Sequence, residues 1–456
     1  MSGSAWEKGP DIAAGRLAEA DYAANFADLH PAFDKHEAIV ASERCLYCYD
    51  APCMNACPTK IDIPLFIRQI ANANALGAAK TILDANIMGG MCARVCPTET
   101  LCEEACVREH AEGMPVEIGR LQRYATDALF KTGKQIYKQD APTGFKIAVV
   151  GAGPAGLSCA HALARQGHAV TIFEARPKAG GLNEYGIAAY KTVDEFAARE
   201  VDYILGVGGI AIEYGSRLGD NLKLADLRAK FDAVFLSIGL GGVNALGVDH
   251  AGVKGVEDAV AFIARLRQTK DKSEVAIGRR VVVVGGGMTA IDMASQAKRL
   301  GAEEVTIVYR RDAAAMKASD FEQELAQTDG VLIRHWLRPV GVKHANGHVS
   351  GVELAYTRDE NGKLVDDGRK LALDCDQLFL AIGQTLLGAE IGDGALTLEG
   401  GRIKIDVERK TSLDDVWAGG DCVAGGQDLT VAAVEDGKQA AISIGRGLKS
   451  RVSVAA

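Results

Sequence analysis

Two textures of apolar residues follow one another along this chain of 456 residues. Over residues 41–140 the apolar positions recur at helical spacing. Ile63–Asn74 and Leu76–Asn86 each place aliphatic side chains three and four residues apart, which predicts amphipathic helices. The first forty residues are polar and Ala-rich and predict a helical arm. From Phe145 onward the texture changes to short β-branched runs, each followed by an Ala-rich stretch of helical length. That alternation predicts parallel α/β units. It begins at Lys146–Val150 and begins again at Arg280–Val284. Between the two textures, Gly133–Gly144 carries Asp140, Pro142 and Gly144 and reads as a linker. The apolar runs, such as Ile147–Val150 and Val281–Val284, are strand-length and too short to cross a bilayer.

Composition changes this picture little. The chain is 48% hydrophobic and 24% charged, ordinary for a globular protein, and too long for one core. A net charge of −9 argues against a broad basic face for nucleic acid. The start, MSGSAWEKGPDIAAGRL, has no basic-then-apolar export signal. The expectation is therefore a cytoplasmic protein whose thiols stay reduced.

That expectation decides how the cysteines are read. Eight of the 11 fall between residues 45 and 106. Cys45, Cys48, Cys53 and Cys57 form C-x2-C-x4-C-x3-C-P, and Cys92, Cys96, Cys102 and Cys106 form C-x3-C-P-x4-C-x3-C. Reduced thiols at such spacing read as metal ligands rather than disulfides. The first run is close to the bacterial ferredoxin spacing that wraps a [4Fe–4S] cluster. Two runs predict two clusters, hence one-electron transport, with zinc as the competing reading of the spacing. Cys159, Cys375 and Cys422 are isolated and read as packing residues.

The first α/β unit opens KIAVVGAGPAGLSCAHALARQGHAVTIFEA. Gly151, Gly153 and Gly156 make G-x-G-x-x-G between a strand and a helix. Their missing Cβ atoms permit the tight turn, the approach of a pyrophosphate, and close helix–strand packing. The phosphates then meet free amides at the helix N-terminus. Glu174 ends the next strand, where a carboxylate accepts hydrogen bonds from a ribose diol. Near the C-terminus, VWAGGDCVAGGQDLTVAAVEDGKQ sets Gly419-Gly420-Asp421 after a strand and a helix from Thr430. This looks like the flavin motif, in which the Asp binds the ribityl or pyrophosphate region and the helix N-terminus faces the ring. Together the two motifs predict FAD.

The second unit, RRVVVVGGGMTAIDMASQAKRLGAEEVTIVYRRD, repeats the plan. Gly285, Gly287 and Ala290 give G-x-G-x-x-A. No acid follows the next strand. Arg310 and Arg311 stand there, with Lys317 nearby, a set suited to a 2′-phosphate. NADPH is therefore favoured over NADH. Phe235–Gly239 and Phe379–Gly383 look like the crossover strands of two-dinucleotide-domain flavin reductases. Many of those enzymes pass electrons to a C-x-x-C in the same module, and this module has none. The N-terminal clusters supply the exit, since a flavin converts a hydride into single electrons.

In this order, the cysteine runs, the FAD pair and the second fingerprint resemble dihydropyrimidine dehydrogenase, including its short bacterial electron-supplying subunits, and the small subunit of glutamate synthase. The resemblance covers residues from about 40 to 450. Its decisive stretch is CARVCPTETLCEEAC followed by PVEIGRLQRYATD, with Gln122 16 residues after Cys106. A Gln there is similar to dihydropyrimidine dehydrogenase, where it is a cluster ligand.

The resemblance implies interleaved clusters. Cys45, Cys48, Cys53 and Cys106 hold one, Cys57, Cys96, Cys102 and Gln122 hold the other, and Cys92 is a bystander. It implies FAD contacts at Gly151, Gly153, Pro154, Ala155, Gly156, Glu174, Gly181, Leu182, Lys191, Leu218, Gly420, Asp421 and Thr430. The run Ala188–Thr192 around Lys191 departs from the family pattern. Dinucleotide contacts are implied at Gly287, Met288, Thr289, Ala290, Arg310, Arg311 and Lys317. No side chain is singled out as a catalytic acid or base.

The fold expected is thus a helical two-cluster domain (41–140) followed by nested Rossmann-like FAD (145–275 and 379–456) and NAD(P) (276–378) domains. Few residues follow the flavin motif, against about 250 for a pyrimidine-binding FMN barrel. The expectation is an electron-input subunit that hands electrons to a partner bearing FMN and iron–sulfur clusters, where uracil or thymine is reduced. A glutamate synthase partner is the alternative, and a zinc-stapled scaffold with vestigial nucleotide folds is a third reading. Neither a nucleic acid nor a membrane is expected as a partner.

Overall fold

Lys146–Val150 and Arg280–Val284, the two β-branched runs, are the central strands of two separate five-stranded parallel sheets. Each is buried from its second residue onward. Parallel strands covered on both faces read as continuous apolar runs for this reason. A computed structural model describes residues 11–388 and 396–455, without the side chains of 452–455. The first ten residues of the expected arm lie outside the described residues.

The contacts divide the chain into two units. The larger spans His30–Glu184, Asp194–Gly242 and Thr385–Ala456. Its sheet runs Ile210–Tyr214, Ala169–Glu174, Lys146–Val150, Ala233–Leu236, Val416–Ala418. The cysteine region folds in the same unit as helices Lys35–Glu43, Pro52–Ala56, Ile63–Ala71, Ala75–Ala85, Gly89–Val95, Val107–Glu112 and Ile118–Phe130. The break between the two expected helices falls at Ala73, whose φ is +56°. There Asn74 caps the second helix through Gly77 N at 2.9 Å. Residues 131–145 form no helix or strand. They are nevertheless pinned: Tyr137 donates to Asp84 at 2.8 Å and Gln135 to the Tyr203 carbonyl at 2.6 Å.

The smaller unit comprises Val243–Gln384, Tyr185–Val193 and the chain up to Leu29. Its sheet runs Leu332–Arg334, Glu304–Val308, Arg280–Val284, Gln377–Leu380, Val256–Asp258. A three-stranded antiparallel sheet, Leu337–Ala345, His348–Glu360 and Lys363–Asp374, belongs to it too.

Three boundaries differ from those read in the sequence. Residues 243–275 group with the second sheet, because Val256–Asp258 pairs with Gln377–Leu380 and Ala259–Gln268 packs on its helix Met288–Arg299. Phe379 lies in that same sheet, not at the return of the flavin domain. The arm is shared: Ile12–Ala13 pairs antiparallel with Ile277–Gly278 and helix Glu19–Asn25 joins the smaller unit, whereas Lys35–Glu43 joins the larger. Strand pairing between distant segments set these borders, and composition does not register it. Among the described residues no helix is long and apolar enough to cross a membrane.

Candidate functional site: two cysteine groups and two glycine loops

The cysteines sort by space, not by run. Cys45, Cys48, Cys53 and Cys106 line one cavity of about 390 Å³, its open mouth included. Ile63, Ile67, Val116 and Ile118 form apolar walls and Leu46 and Val107 lie exposed at the rim. Cys106 joins the first three because it caps helix Val107–Glu112, which Arg108 ties to the Arg44 carbonyl beside Cys45. Burial is the main cause raising the Cys45 thiol, with Cys48 and Cys106 adding to it, and burial pushes Cys53 up to about 12. Such thiols stay protonated at neutral pH until a metal draws the proton off.

The second group is deeper. The Cys96 thiol is raised first by its hydrogen bond with Cys92, then by burial, and by proximity to Cys102 and Cys57. Burial also raises Cys102, next to Cys57. Cys57 Sγ lies 3.3 Å from Thr59 Oγ1. Gln122, 7% exposed on helix Ile118–Phe130, donates its amide to the Gly89 carbonyl at 2.6 Å. Its oxygen is thus the end available to a metal. Cys92, which the sequence reading set aside, stands beside Cys96 and accepts from Asn86 at 3.2 Å. Cys57, Cys96 and Cys102 are brought together, and both Gln122 and Cys92 lie on elements flanking them. These two donor sets fit iron–sulfur centres.

The first glycine loop is shaped by a neighbouring strand. Gly151 has φ +99°, and a Cβ there would lie 2.4 Å from the Ser237 carbonyl oxygen. A Cβ on Gly156 would lie 2.0 Å from the Gly151 carbonyl oxygen, and one on Gly181 2.7 Å from Gly153 Cα. Gly153 caps helix Pro154–Arg165 with no side-chain hydrogen bond, which leaves its first amides to a phosphate. Glu174 is buried. Its two oxygens accept from Ala152 N and Arg176 N, both at 2.7 Å. It therefore locks the loop from the end of the strand, where the sequence places a ribose-binding carboxylate.

At the flavin end, Gly420 (φ +77°) donates to Asp436 at 2.9 Å, and burial pushes the Asp421 carboxyl up to about 6. Thr430 opens helix Thr430–Ala455 and donates to Asn183 Oδ1 at 2.7 Å. Leu182 opens the short helix Leu182–Tyr185, and Leu218 packs in the core. Sequence reasoning missed Asn183. Its amide nitrogen is buried with no partner among the described residues, a donor left over for a ligand acceptor. The glycine cradle and this orphaned donor fit a flavin dinucleotide.

Lys191 lies in the smaller unit, buried, with Nζ 2.7 Å from Asp292 and 2.6 Å from Glu322. The two carboxylates hold its pKa up against burial. The structure gives it two carboxylate partners within that unit.

The second loop repeats the first with changes. Gly285 (φ +151°) is backed by the Ala381 carbonyl oxygen, 2.2 Å from where a Cβ would be. Gly287 caps the helix that begins Met288-Thr289-Ala290, again with no side-chain cap. Arg310, Arg311 and Lys317 are exposed. Among the described residues none of the three enters an ion pair. The arrangement fits a phosphorylated dinucleotide.

Comparison with known proteins agrees with this architecture. Residues 22–134 match the family described as dihydropyrimidine dehydrogenase domain II, 4Fe-4S cluster, and residues 145–437 match the pyridine nucleotide-disulphide oxidoreductases. The NAD-dependent dihydropyrimidine dehydrogenase subunit PreT of Salmonella typhimurium is 36% identical over 427 residues, 93% of this chain and 98% of that protein. The glutamate synthase [NADPH] small chain of Escherichia coli K12 is 34% identical over 447 residues, 92% and 93% of the two chains. Thioredoxin reductase from T. acidophilum shares the fold over 67% of this chain and 98% of its own, with a TM-score of 0.53 at 22% identity. Mycobacterium tuberculosis FprA, solved with NADPH, does so over 68% and 86%, with a TM-score of 0.58 at 17%. A helical iron–sulfur domain thus precedes a Rossmann-type flavoprotein reductase. The chain belongs to the family of NAD(P)H-dependent oxidoreductases that includes the PreT subunits of dihydropyrimidine dehydrogenase and the glutamate synthase small chain.

Proposed function

We propose that this chain is the electron-input subunit of a dihydropyrimidine dehydrogenase. It takes reducing equivalents from NAD(P)H and passes them, by way of FAD and two [4Fe–4S] clusters, to a partner subunit. That partner carries FMN and further clusters and reduces uracil or thymine to the 5,6-dihydropyrimidine. The supporting observation is the sorting of the cysteines. Cys45, Cys48, Cys53 and Cys106 share one open cavity, while Cys57, Cys96 and Cys102 form a deeper group in the unit that carries the flavin loop. A flavin supplies the two-electron to one-electron conversion. The chain's own residues hold the dinucleotides and bring a thiolate site to the surface, where exposed Leu46 and Val107 meet the acceptor. Reduced thiols suit the cytoplasm.

The donor we propose is NADPH, on the exposed Arg310 and Arg311, which enter no ion pair among the described residues, although the PreT relatives are named NAD-dependent. A second reading, a glutamate synthase partner, has the 34% identity with that small chain in its favour. The holoprotein alone should reduce a one-electron dye with NAD(P)H and leave uracil untouched. Uracil reduction should appear when an FMN-bearing dihydropyrimidine dehydrogenase subunit is added. Uracil reduction by the chain alone would overturn the proposal, and activity only with a glutamate synthase large subunit would select the second reading.

The ligand set has its own test. Cys92→Ser should keep both clusters, and Gln122→Ala should perturb one paramagnetic resonance signal. The reverse outcome would replace Gln122 by Cys92.

A further inference from the structure

Helix Thr430–Ala455 connects two parts of the larger unit. Its first residue meets Asn183 at the flavin end. Lys438 lies eight residues on, about 12 Å along the axis. There its Nζ donates to the Ala85 carbonyl at 2.9 Å and the Thr59 carbonyl at 3.3 Å. The Thr59 carbonyl lies in the turn that follows Cys57, and the Ala85 carbonyl ends helix Ala75–Ala85. Thr59 contacts Cys57 Sγ at 3.3 Å, and Ala85 precedes Asn86, which donates to Cys92 Sγ. Glu435, one turn earlier, pairs with Lys438 at 2.6 Å, and its other oxygen accepts from Gln439 at 2.7 Å.

We propose that Lys438 is the positioning residue of the deeper iron–sulfur centre: it fastens the flavin-end helix to the turn after Cys57 and to the end of helix Ala75–Ala85 and, as a fixed cation beside the Cys57 turn, raises that centre's reduction potential. The inference rests on the reading that this group holds a cluster. Reduction adds one negative charge to the centre. A cation a few ångströms beyond its ligand turn stabilises the reduced state more than the oxidised one. Glu435 opposes it with the other sign. The pair is therefore a dipole whose positive end is hydrogen-bonded to the Thr59 and Ala85 carbonyls.

The experiment is a redox titration of the holoprotein followed by electron paramagnetic resonance, after iron and flavin have been counted. Lys438→Met should shift one cluster to lower potential and leave the other in place. Glu435→Gln should shift the same cluster upward, and Lys438→Arg should stay near the wild type. Unchanged potentials, or shifts of the same sign in Lys438→Met and Glu435→Gln, would overturn the proposal. If Lys438→Met cannot assemble the deeper cluster, the upward shift in Glu435→Gln decides alone. A wild-type chain without iron–sulfur signals would remove the cluster reading itself, and this proposal with it.

Discussion

The two glycine loops use one backbone device for two different ends. In each, the first glycine is pressed against the carbonyl of a neighbouring parallel strand, Ser237 behind Gly151 and Ala381 behind Gly285. They part at the third position. The first loop has no space for even a methyl group at Gly156, while the second already carries Ala290. They part again at the end of the following strand. Glu174 is buried and spends both oxygens on backbone amides, whereas Arg310 and Arg311 are exposed with no ion pair among the described residues. A carboxylate bonded into its own loop suits a cofactor that stays. Guanidinium groups left in water suit a dinucleotide that comes and goes.

The sharpest way to break this comparison is at the third position. Gly156→Ala puts a Cβ 2.0 Å from the Gly151 carbonyl oxygen, and backbone must move. The purified protein should lose its flavin, read as loss of absorbance near 450 nm (approximately the flavin band, set by the cofactor's own chemistry). Ala290→Gly should keep dinucleotide binding and cost about 1 kcal/mol of stability, the helix penalty for glycine. Flavin retained in Gly156→Ala would mean that the two loops are equally tolerant.

At the strand ends the expected effect is smaller. A charge-assisted hydrogen bond contributes roughly 1.5–3 kcal/mol. Replacing Arg310 and Arg311 together by Ala should weaken NADPH by about 10²-fold and spare NADH. Equal losses for both nucleotides would assign the arginines to something other than the 2′-phosphate.

The smallest effect contrasts the units themselves. In the larger, Glu200 is fully buried and accepts from Gly90 N at 2.8 Å and Met91 N at 3.1 Å. Burial pushes its carboxyl up to about 8. The folded state then binds a proton that the unfolded state, near 4.5, has released, so stability falls as pH rises between those values. In the smaller unit Lys191 is raised by its two carboxylates, and its contribution erodes only as pH climbs from about 10.5, the ordinary lysine value, toward the raised one. Between pH 6 and 8 the larger unit should lose thermal stability and the smaller should not. Glu200→Gln should flatten the slope, as differential scanning calorimetry would register, and an unchanged slope would place the titrating group elsewhere.

Much of the site was legible because cofactor loops are contiguous. Strand, Gly151–Gly156 turn and helix follow one another within about one βαβ unit, and each glycine's role is a property of its own backbone. The cysteine runs announced metal by spacing alone. The surroundings of Lys191 were not legible for the opposite reason: its partners Asp292 and Glu322 are more than a hundred positions away, and a lysine buried by two carboxylates looks like any other in sequence.

What the sequence determined by itself was therefore the chemistry, in the thiols, the glycine turns and the arginines that replace an acid. Only the tertiary structure decided the company those groups keep. It brought Cys106 to Cys45, Cys48 and Cys53. It set the Ser237 carbonyl behind a glycine 86 residues earlier, joined Asn183 to Thr430 across 247 residues, and laid Lys438 against the Thr59 and Ala85 carbonyls. Contacts over such separations come from how strands pair and helices pack, and no local period in the chain encodes them.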